Sequence, residues 1–270
     1  MTGKRLKRVS AFIAIAVLAA CATSPTGRKQ FILPNYTESD MGKMGAAAFG
    51  DLKKKQALDN DPKTNAYVSC VARAILTSLP GDEGEGWEIE VFKDDTPNAF
   101  ALPGKKIGVH SGILSVAKNQ HQLATVIGHE VGHVQAHHSA ERLSQQTAAQ
   151  GALLVGAIIA GTSNSTEKGL VMGALGAGVT YGVLMPFSRT QESEADMIGL
   201  KLMAKAGFNP DESVSLWENM AAADKNKVPE FLSTHPSDET RMSALNRALA
   251  EAEADAADAR AQGRRPNCTL

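Results

Sequence analysis

The sequence predicts a mostly helical α+β domain in which helices pack on a small antiparallel sheet. Apolar residues recur at helical spacing from Met41 to Leu58 and from Ala66 to Leu79. Trp87 to Phe92 alternates apolar and charged residues, as a half-buried strand does, and Ile107 to His110 predicts a second strand. The intervening stretch from Asn98 to Gly104 suits a turn or a sheet edge better than a central strand. With 270 residues, 43% hydrophobic and 21% charged, the composition is that of a folded globular domain.

Residues 1–20 predict an export signal, not part of the fold. Basic residues from Lys4 to Arg8 precede the apolar run from Ala11 to Ala20, which is about half of the roughly 20 residues that span a bilayer. Small residues lead directly into Cys21, a pattern similar to the bacterial lipobox, in which the cysteine is lipidated and starts the mature chain. An ordinary signal peptide with an incidental cysteine is the alternative. The pattern predicts a periplasmic lipoprotein anchored through Cys21, and Ala22 favours the outer membrane.

Composition divides the rest of the chain into a tether, a domain and a tail. Residues 21–35 are polar and predict a lipidated tether, and residues 36–250 form the predicted domain. Within the domain, residues 151–186 are rich in Gly, Ala and aliphatic side chains. They predict a buried helical hairpin, with a lid over a cleft or a membrane contact as alternatives. Residues 251–270 predict a solvated polar helix followed by a tail.

Two predicted helices of the domain carry sequence motifs. Asn119, with Gln122 three residues later, predicts a helix start, and the helix is expected to extend to about Gln145. A second helix is predicted from Thr190 to Ala206, because Gly and Pro follow it in the order typical of a helix end.

The first of these helices contains the sequence His129-Glu-Val-Gly-His133. His129 and His133 are one helical turn apart, so their imidazoles can share one tetrahedral metal ion. Glu130 follows the first histidine and would place its carboxylate beside the open coordination position. There it can take a proton from an activated water and pass it to a leaving amine. The motif therefore predicts a zinc-dependent hydrolase site, although such a pattern also arises by chance in helices.

A third ligand distinguishes a metal site from a chance pattern. The metzincin pattern requires Gly at position 136 and His at position 139, where this chain has Ala136 and Ser139. The alternative is an acid on the second helix, where Glu192 and Asp196 lie one turn apart on one face. Glu192 can then reach the metal, and Asp196 can accept a hydrogen bond from a ligand histidine. Glu194 faces elsewhere on that helix and is kept as the alternative ligand.

The order of these motifs resembles a known family. The matching segments are Asn98-Ala-Phe-Ala-Leu-Pro-Gly104, His129 to His133, Ser188-Arg-Thr-Gln-Glu-Ser-Glu-Ala-Asp196, and Thr234-His-Pro236 with Arg241. Together they resemble the membrane-associated gluzincin metallopeptidases, which include the HtpX heat-shock protease, the CAAX prenyl endopeptidase and the mitochondrial Oma-type protease. The similarity is greatest to the bacterial periplasmic lipoproteins of that family.

The resemblance implies roles for particular residues. It implies one zinc ion per chain, with Glu192 as the third ligand and Asp196 behind it. It also implies that an extended substrate backbone pairs with the strand formed by Asn98, Ala99, Phe100 and Ala101. His235 resembles a histidine that lies beside the metal, either donating to the oxyanion or covering zinc in a latent state.

The remaining cysteines and histidines are open to simpler interpretations. In an oxidising compartment Cys70 and Cys268 can pair, tying the tail to a helix, but two free thiols are the alternative. His137 and His138 continue the motif helix and are expected on its solvated face, with an accessory ligand role for His137 as the alternative.

These observations predict a zinc endopeptidase that acts on unfolded or misassembled proteins of the cell envelope. The first alternative is a periplasmic chaperone or assembly factor for outer-membrane proteins with latent proteolysis, and the second is a lipid-anchored structural protein. The net charge of -1 and the lack of a long basic run beyond the N-terminus exclude nucleic acid as a partner. The oligomeric state is left open.

Overall fold

The computed structural model describes residues 21–159, 187–222, 230–235 and 239–270. The predicted signal peptide, residues 1–20, lies outside these ranges. So does most of the predicted hairpin at 151–186, of which only the first residues are described. No helix within the described ranges is both long and apolar enough to cross a membrane.

The described chain begins with a small antiparallel hairpin. Strand β1 (Cys21–Thr23) pairs with β2 (Lys29–Phe31), and Gly27 takes a positive φ of 87° in the turn between them. Ser24 and Gln30 are buried against the rest of the molecule. This stretch was expected to be a tether, because its composition is polar. It is instead packed on the domain, since its polar side chains find buried partners there.

Two helices follow the hairpin. Helix α1 (Glu38–Lys55) starts at Thr37, whose side chain accepts a hydrogen bond from the Asp40 N–H, and α2 (Pro62–Leu76) starts at Asp61 in the same way. Both helices begin about one turn earlier than their apolar periodicity predicted, because the first turn is polar and carries the cap.

The main sheet has three strands in the order β3-β5-β4: β3 (Glu88–Phe92), β4 (Ala99–Leu102) and β5 (Lys106–His110). β4 is an edge strand, as the Pro and Gly of its segment predicted. The sheet is mixed, since β4 and β5 are antiparallel but β3 and β5 are parallel. The expected fully antiparallel sheet is therefore wrong. The alternation of apolar and charged residues predicts which face of a strand is exposed but not the direction in which the strand runs. The tight turn that follows β4 reverses the chain before β5.

Helix α3 (Gln120–Gln135) is the buried centre of the domain. Asn119 caps it as predicted, accepting hydrogen bonds from the N–H groups of His121 and Gln122. A short 3₁₀ helix (Ser111–Ser115) precedes it. The apolar residues of α3 pack between α2, the sheet and the later helices. Fully buried examples are Leu123, Ala124, Val126, Ile127 and Val131.

The motif helix ends earlier than predicted. The backbone leaves the helix at Ala136, and His137 takes a positive φ of 51°, which is unusual for a residue other than Gly. A new helix, α4 (His138–Ile159), starts directly afterwards. The expectation of one helix reaching Gln145 is therefore wrong, and the change of direction turns the His138 side chain into the interior.

The second half of the described chain is helical. It contains α5 (Arg189–Lys205), α6 (Glu212–Ala222), the short α7 (Glu230–Thr234) and α8 (Glu239–Ala261). α5 has a complete capping box, in which Ser188 and Gln191 exchange hydrogen bonds with each other's backbone.

The C-terminal segment belongs to the domain. α8 continues through position 250, and Ala252, Ala256 and Ala259 are buried, so the expectation of a solvated helix is wrong for this face. Alanine on one face lets this otherwise polar helix pack closely. The tail then returns to α2, where Cys70 and Cys268 form a disulfide with Cα atoms 5.8 Å apart.

Candidate metal centre

Three side chains meet in the interior between α3 and α5. His129 and His133 lie one turn apart on α3, and Glu192 lies in the first turn of α5. All three are buried. His129 Nε2 is 3.1 Å from His133 Nε2. The Glu192 carboxylate places Oε2 3.4 Å from His129 Nε2 and Oε1 3.6 Å from His133 Nε2.

These separations fit zinc. Zinc binds nitrogen and carboxylate oxygen at about 2.0–2.2 Å, so two of its tetrahedral ligand atoms lie about 3.3 Å apart. The other ring nitrogen of each histidine, Nδ1, already has a partner, Asp196 for His129 and His138 for His133. The two facing Nε2 atoms and the carboxylate are therefore directed at one point, and they form the nitrogen and oxygen donor set typical of a zinc peptidase.

The helix caps and three glycines fix this geometry. The caps at Asn119 and Ser188 set where each helix starts and hence which side chains face the other helix. At Gly128, Gly132 and Gly199 the two helix backbones nearly touch. A Cβ added at Gly199 would lie 2.7 Å from the backbone nitrogen of His129. This close approach brings the oxygens of the Glu192 carboxylate within 3.6 Å of the Nε2 atoms of both histidines.

The electrostatics of the centre favour a cation. Burial disfavours the charged form of His129, but the carboxylates of Asp196 and Glu192 outweigh burial and raise its pKa to about 9. Burial also opposes ionisation of Glu192, yet hydrogen bonds and charge from His129 and His235 lower its pKa. Burial, together with the neighbouring histidines, lowers the pKa of His133 well below its ordinary value, so that ring is neutral.

Asp196 lies behind the first ligand, where its spacing from Glu192 predicted it. Its Oδ1 is 2.9 Å from His129 Nδ1. Arg241 holds the same carboxylate, since its Nε donates to Oδ2 at 2.6 Å and its Nη2 donates to Oδ1 at 2.7 Å. The Arg241 Nη1 is also 3.0 Å from Glu192 Oε2, and the guanidinium lies over the Trp217 ring. One buried arginine thus links the third predicted ligand to the carboxylate that orients the first.

Sequence reasoning missed the partner of the second ligand. His138, expected on a solvated face, is fully buried, and its Nδ1 lies 2.9 Å from His133 Nδ1. Its Nε2 lies 3.1 Å from Glu194 Oε2. Glu194, kept as an alternative metal ligand, is therefore not part of the donor cluster. The sequence offers no local signal for this contact, because it depends on the left-handed backbone at His137.

Glu130 lies beside the donor atoms and is itself buried. Its Oε2 accepts a hydrogen bond from the Ala101 N–H at 3.2 Å, and its Oε1 is 3.3 Å from His235 Nε2. Burial raises the pKa of Glu130, and the charges of His235 and His129 offset part of that effect. A carboxylate with a raised pKa can both accept and return a proton near neutral pH.

His235 completes the cluster. His129, His133, Glu192 and His235 can each offer one ligand atom, and these atoms all lie within 4.8 Å of one another. His235 Nδ1 is 3.3 Å from His129 Nε2 and 3.0 Å from Glu192 Oε1. Its ring stacks on Phe231, with ring centres 4.6 Å apart. His235 thus occupies the position of a fourth donor.

The predicted substrate strand lies next to Glu130. The Asn98 carbonyl accepts a hydrogen bond from the His110 N–H at 3.0 Å, so in the alternating antiparallel pattern the backbone groups of Ala99 and Ala101 face away from β5. The Ala99 N–H is held by Asn98 Oδ1 and the Ala101 N–H by Glu130. Phe100 packs its ring over Gly108. The strand offers an edge directed at the donor cluster.

A cleft of about 1020 Å³ opens beside the second ligand. His133 lines it, together with Tyr36 and Met41 from the first part of the domain and Trp87 and Pro103 near the sheet.

Comparison with known proteins agrees with this geometry. Residues 62–249 match the family described as Peptidase family M48. The chain belongs to peptidase family M48. This assignment confirms the resemblance inferred from the motifs at the level of the family. The match runs from the start of α2 into α8 and so contains all four residues of the donor cluster.

Named relatives come from mitochondria and bacteria. The mitochondrial metalloendopeptidase OMA1 of Schizosaccharomyces pombe is 39% identical over 192 residues, which is 70% of this chain and 54% of that protein. OMA1 of Bos taurus is 33% identical over 213 residues, 75% of this chain and 40% of the relative. The beta-barrel assembly-enhancing protease of Escherichia coli (strain K12) is 30% identical over 212 residues, 76% of this chain and 43% of the relative. The chain therefore spans about half the length of these relatives.

Proposed function

We propose that the protein is a zinc-dependent endopeptidase. The observation that carries this proposal is the buried donor set of His129, His133 and Glu192 with Glu130 beside it, in a chain of family M48. Bound zinc supplies the Lewis acidity that activates water and polarises a peptide carbonyl. Glu130 accepts the proton of the attacking water and returns it to the leaving nitrogen, because its carboxylate is next to the donor atoms and its pKa is raised by burial.

The substrate backbone is proposed to pair with β4 in an extended conformation. The outward backbone groups of Ala99 and Ala101 form the edge that such a peptide would extend. Glu130 is bonded to the Ala101 N–H, so substrate pairing at this residue would release the carboxylate for proton transfer. In this proposed arrangement the peptide bond to be cleaved would lie near the donor cluster.

His235 is proposed to leave the donor cluster during catalysis. A catalytic zinc site keeps one position open, whereas four protein donors close it. His235 Nδ1 lies among the donor atoms, 3.3 Å from His129 Nε2 and 3.0 Å from Glu192 Oε1, so the ring would have to move to open that position. Once displaced by substrate, the same ring would remain close enough to donate to the developing oxyanion.

The proposed substrates are unfolded or misassembled proteins of the cell envelope. Support comes from the basic and apolar N-terminus ending at Cys21, and from the similarity to a protease named for β-barrel assembly. The Cys70–Cys268 disulfide suits an oxidising compartment. We propose that lipidated Cys21 anchors the protein in the periplasm at the outer membrane. Mass spectrometry of the N-terminal peptide tests this, and an unmodified Cys21 preceded by residues 1–20 would contradict it.

The peptidase proposal is tested with Glu130→Gln, which removes the proton acceptor but leaves the donor atoms in place. We expect full-length wild-type protein, purified with zinc, to cleave a reduced and carboxymethylated protein substrate. We expect Glu130→Gln to bind one zinc per chain and to cleave at least 100-fold more slowly. Equal cleavage rates, or wild-type protein that binds no zinc, would contradict the proposal.

The chaperone alternative makes a different prediction in cells. If the cleft only holds envelope clients, Glu130→Gln should complement a deletion strain as well as wild type does. The position of His235 among the donor atoms is the observation that favours this alternative. Loss of complementation with retained zinc binding would assign the function to peptide-bond cleavage.

A further inference from the structure

The N-terminal hairpin inserts polar side chains behind the metal centre. The hydroxyl groups of Ser24 and Thr26 both contact Glu194 Oε1, and the Arg28 Nε donates to Glu194 Oε2 at 2.5 Å. Ser24 and Glu194 are buried. The hairpin therefore supplies several of the hydrogen bonds that a buried carboxylate requires.

Arg28 is fixed from its other side. Its Nη1 and Nη2 each donate to one oxygen of Glu141 at 2.7 Å, which is a bidentate pair. Glu141 also accepts from Gln191 Nε2 at 2.9 Å, and Gln191 immediately precedes the predicted ligand Glu192. The guanidinium thus bridges one acid on α4 and another on α5, and its position is defined by both helices.

The Glu194 carboxylate determines which nitrogen of His138 carries the proton. A carboxylate only accepts hydrogen bonds, so the His138 Nε2 that faces it must be the protonated nitrogen. In a neutral ring His138 Nδ1 is then an acceptor, and His133 Nδ1, 2.9 Å away, must donate to it. His133 Nε2 is left with its lone pair directed at the donor cluster.

The two ligand histidines are therefore oriented in different ways. His129 is held directly by a carboxylate, Asp196, which belongs to the helix carrying Glu192. His133 is held through a second imidazole, and the carboxylate at the end of that relay, Glu194, depends on a distant hairpin. Hydrogen bonds of this kind fix the tautomer and ring orientation of a ligand and typically contribute 10- to 100-fold to metal affinity.

We propose that the N-terminal hairpin helps to position the predicted ligand His133. In this proposal Arg28, with Ser24 and Thr26, holds Glu194, and Glu194 orients His133 through His138. This inference rests on the proposed zinc site. Ser24 is three positions after Cys21 in the sequence. The residues that follow the proposed lipid anchor are therefore the residues that hold the relay in place.

The test is a double-mutant cycle read out as zinc affinity. Full-length wild-type, Arg28→Met, His138→Phe and the double variant are purified in detergent, stripped of metal and titrated with zinc against a chromophoric chelator. We expect His138→Phe to weaken zinc binding about 10- to 100-fold and Arg28→Met to weaken it roughly 3- to 10-fold. Because Arg28 acts through His138, we expect Arg28→Met to have no further effect in the His138→Phe background.

Controls separate positioning from general destabilisation. Lys29→Ala alters an exposed side chain of the same hairpin and should leave zinc affinity unchanged. Urea unfolding of each metal-free variant shows whether it is folded, and the visible absorption of bound Co²⁺ reports the ligand geometry directly. We expect the Co²⁺ spectrum to change in Arg28→Met and not in Lys29→Ala.

The outcomes distinguish this inference from the proposed function. If wild type binds zinc and folded Arg28→Met binds it equally well with an unchanged Co²⁺ spectrum, the positioning role is wrong and the peptidase proposal stands. If Arg28→Met weakens binding by the same factor in both backgrounds, Arg28 does not act through His138 and the relay is refuted. If the zinc affinities of the four proteins follow the predicted cycle but wild type cleaves no substrate, the positioning role stands and the peptidase proposal fails.

Discussion

At the scale of single residues, the metal centre depends on charges that are buried together. Asp196 accepts hydrogen bonds from His129 and from two nitrogens of Arg241, and all three side chains are buried. Buried ionic groups are stable only when each charge has a partner with good geometry. The carboxylate of Asp196 therefore serves the first ligand and the arginine at the same time.

Replacing Asp196 by Asn should weaken both zinc binding and folding. The amide accepts a weaker hydrogen bond from His129, so we expect zinc affinity to fall about 10- to 100-fold. Its NH₂ group would also face Arg241, and loss of this buried pairing should lower the free energy of unfolding by about 3 kcal/mol. Chelator competition and urea unfolding measure the two effects. Asp258→Asn, on the exposed face of α8, is the control, and equal behaviour of the two variants would contradict the prediction.

Glu194 gives the folded protein a specific sensitivity to acid. Burial opposes its ionisation, but hydrogen bonds from Ser24, Thr26, His138 and Arg28 outweigh burial and lower its pKa to about 2. A carboxyl whose pKa is depressed on folding stabilises the fold above its unfolded pKa, near 4.5. This stability is lost as the pH falls toward and below 2. The predicted contribution is about 1–2 kcal/mol, discounted from 1.36 kcal/mol per pKa unit because part of the hydrogen-bond network is screened by solvent.

The measurement compares metal-free wild type with Glu194→Gln by urea unfolding between pH 2 and pH 6. The free energy of unfolding of wild type should decrease more steeply between pH 4.5 and pH 2 than that of the variant. Taking the difference between the two proteins cancels the titration of the other carboxyl groups. Parallel stability curves would show that the Glu194 pKa is not depressed in the folded state.

At the scale of elements, the close approach of α3 and α5 sets the distances within the centre. The helices cross where Gly128 meets Gly199, and a Cβ at position 199 would lie 2.7 Å from the His129 nitrogen and 2.8 Å from the Gly128 carbonyl carbon. These contacts are backbone atoms that cannot rotate away. Because α3 carries two donors and α5 carries the third, the helix separation controls whether all three reach one ion.

Gly199→Ala should therefore push the two helices apart. We expect the free energy of unfolding to fall by about 1–3 kcal/mol, the usual cost of overpacking, and zinc affinity to fall with it. Gly50→Ala is a matched control in a helix, because a Cβ there meets nothing within 4 Å. It should leave zinc affinity unchanged and stabilise the protein by about 0.5–1 kcal/mol. Equal stability changes in the two variants would contradict the role of Gly199.

Sequence patterns predicted those elements whose signals are local. The starts of α3 and α5 depend on Asn119 and Ser188 bonding to backbone within one turn, and both were predicted to within a residue or two. The break at His137 was not predicted. It is stabilised by contacts of His138 with Glu194, which is 56 positions away in the chain. The packing of the hairpin on the domain was not predicted for the same reason, because Arg28 meets its partners Glu141 and Glu194 only in the tertiary structure.

The ligands show the same division. The spacing of His129 and His133 predicts their shared face, and the Glu192 and Asp196 pair was found because both acids lie on one helical face. Helical periodicity could not rank Glu192 above Glu194 by itself. The rank is decided by which face of α5 meets α3, and that depends on the contact at Gly199.

At the scale of the whole molecule, segments far apart in sequence hold the two ends of the motif helix. At its C-terminal end, Gln30 Nε2 of the hairpin donates to the Ala136 carbonyl at 2.6 Å. At its N-terminal end, Gln120 Oε1 accepts from the Cys268 N–H at 2.8 Å. The tail also packs on the turn after α5, where Gly207 has a positive φ of 89° beside the Arg264 carbonyl. α3 is thus fixed at both ends by segments outside the ligand helices.

The Cys70–Cys268 disulfide closes a loop that contains the sheet, α3, α5 and every predicted ligand, because the two cysteines are 198 positions apart. A cross-link over so long a loop restricts the unfolded chain strongly, and such disulfides typically contribute about 2–4 kcal/mol to stability. We therefore expect the Cys70→Ser/Cys268→Ser variant to unfold at a lower urea concentration than wild type. A phosphine reductant should have the same effect on wild type and no effect on the variant. Zinc affinity of the folded variant should be unchanged, because the bond lies at the opposite end of α3 from the donor atoms. An unfolding midpoint that neither the substitution nor the reductant alters would show that the tail is held by its hydrogen bonds and packing without the covalent link.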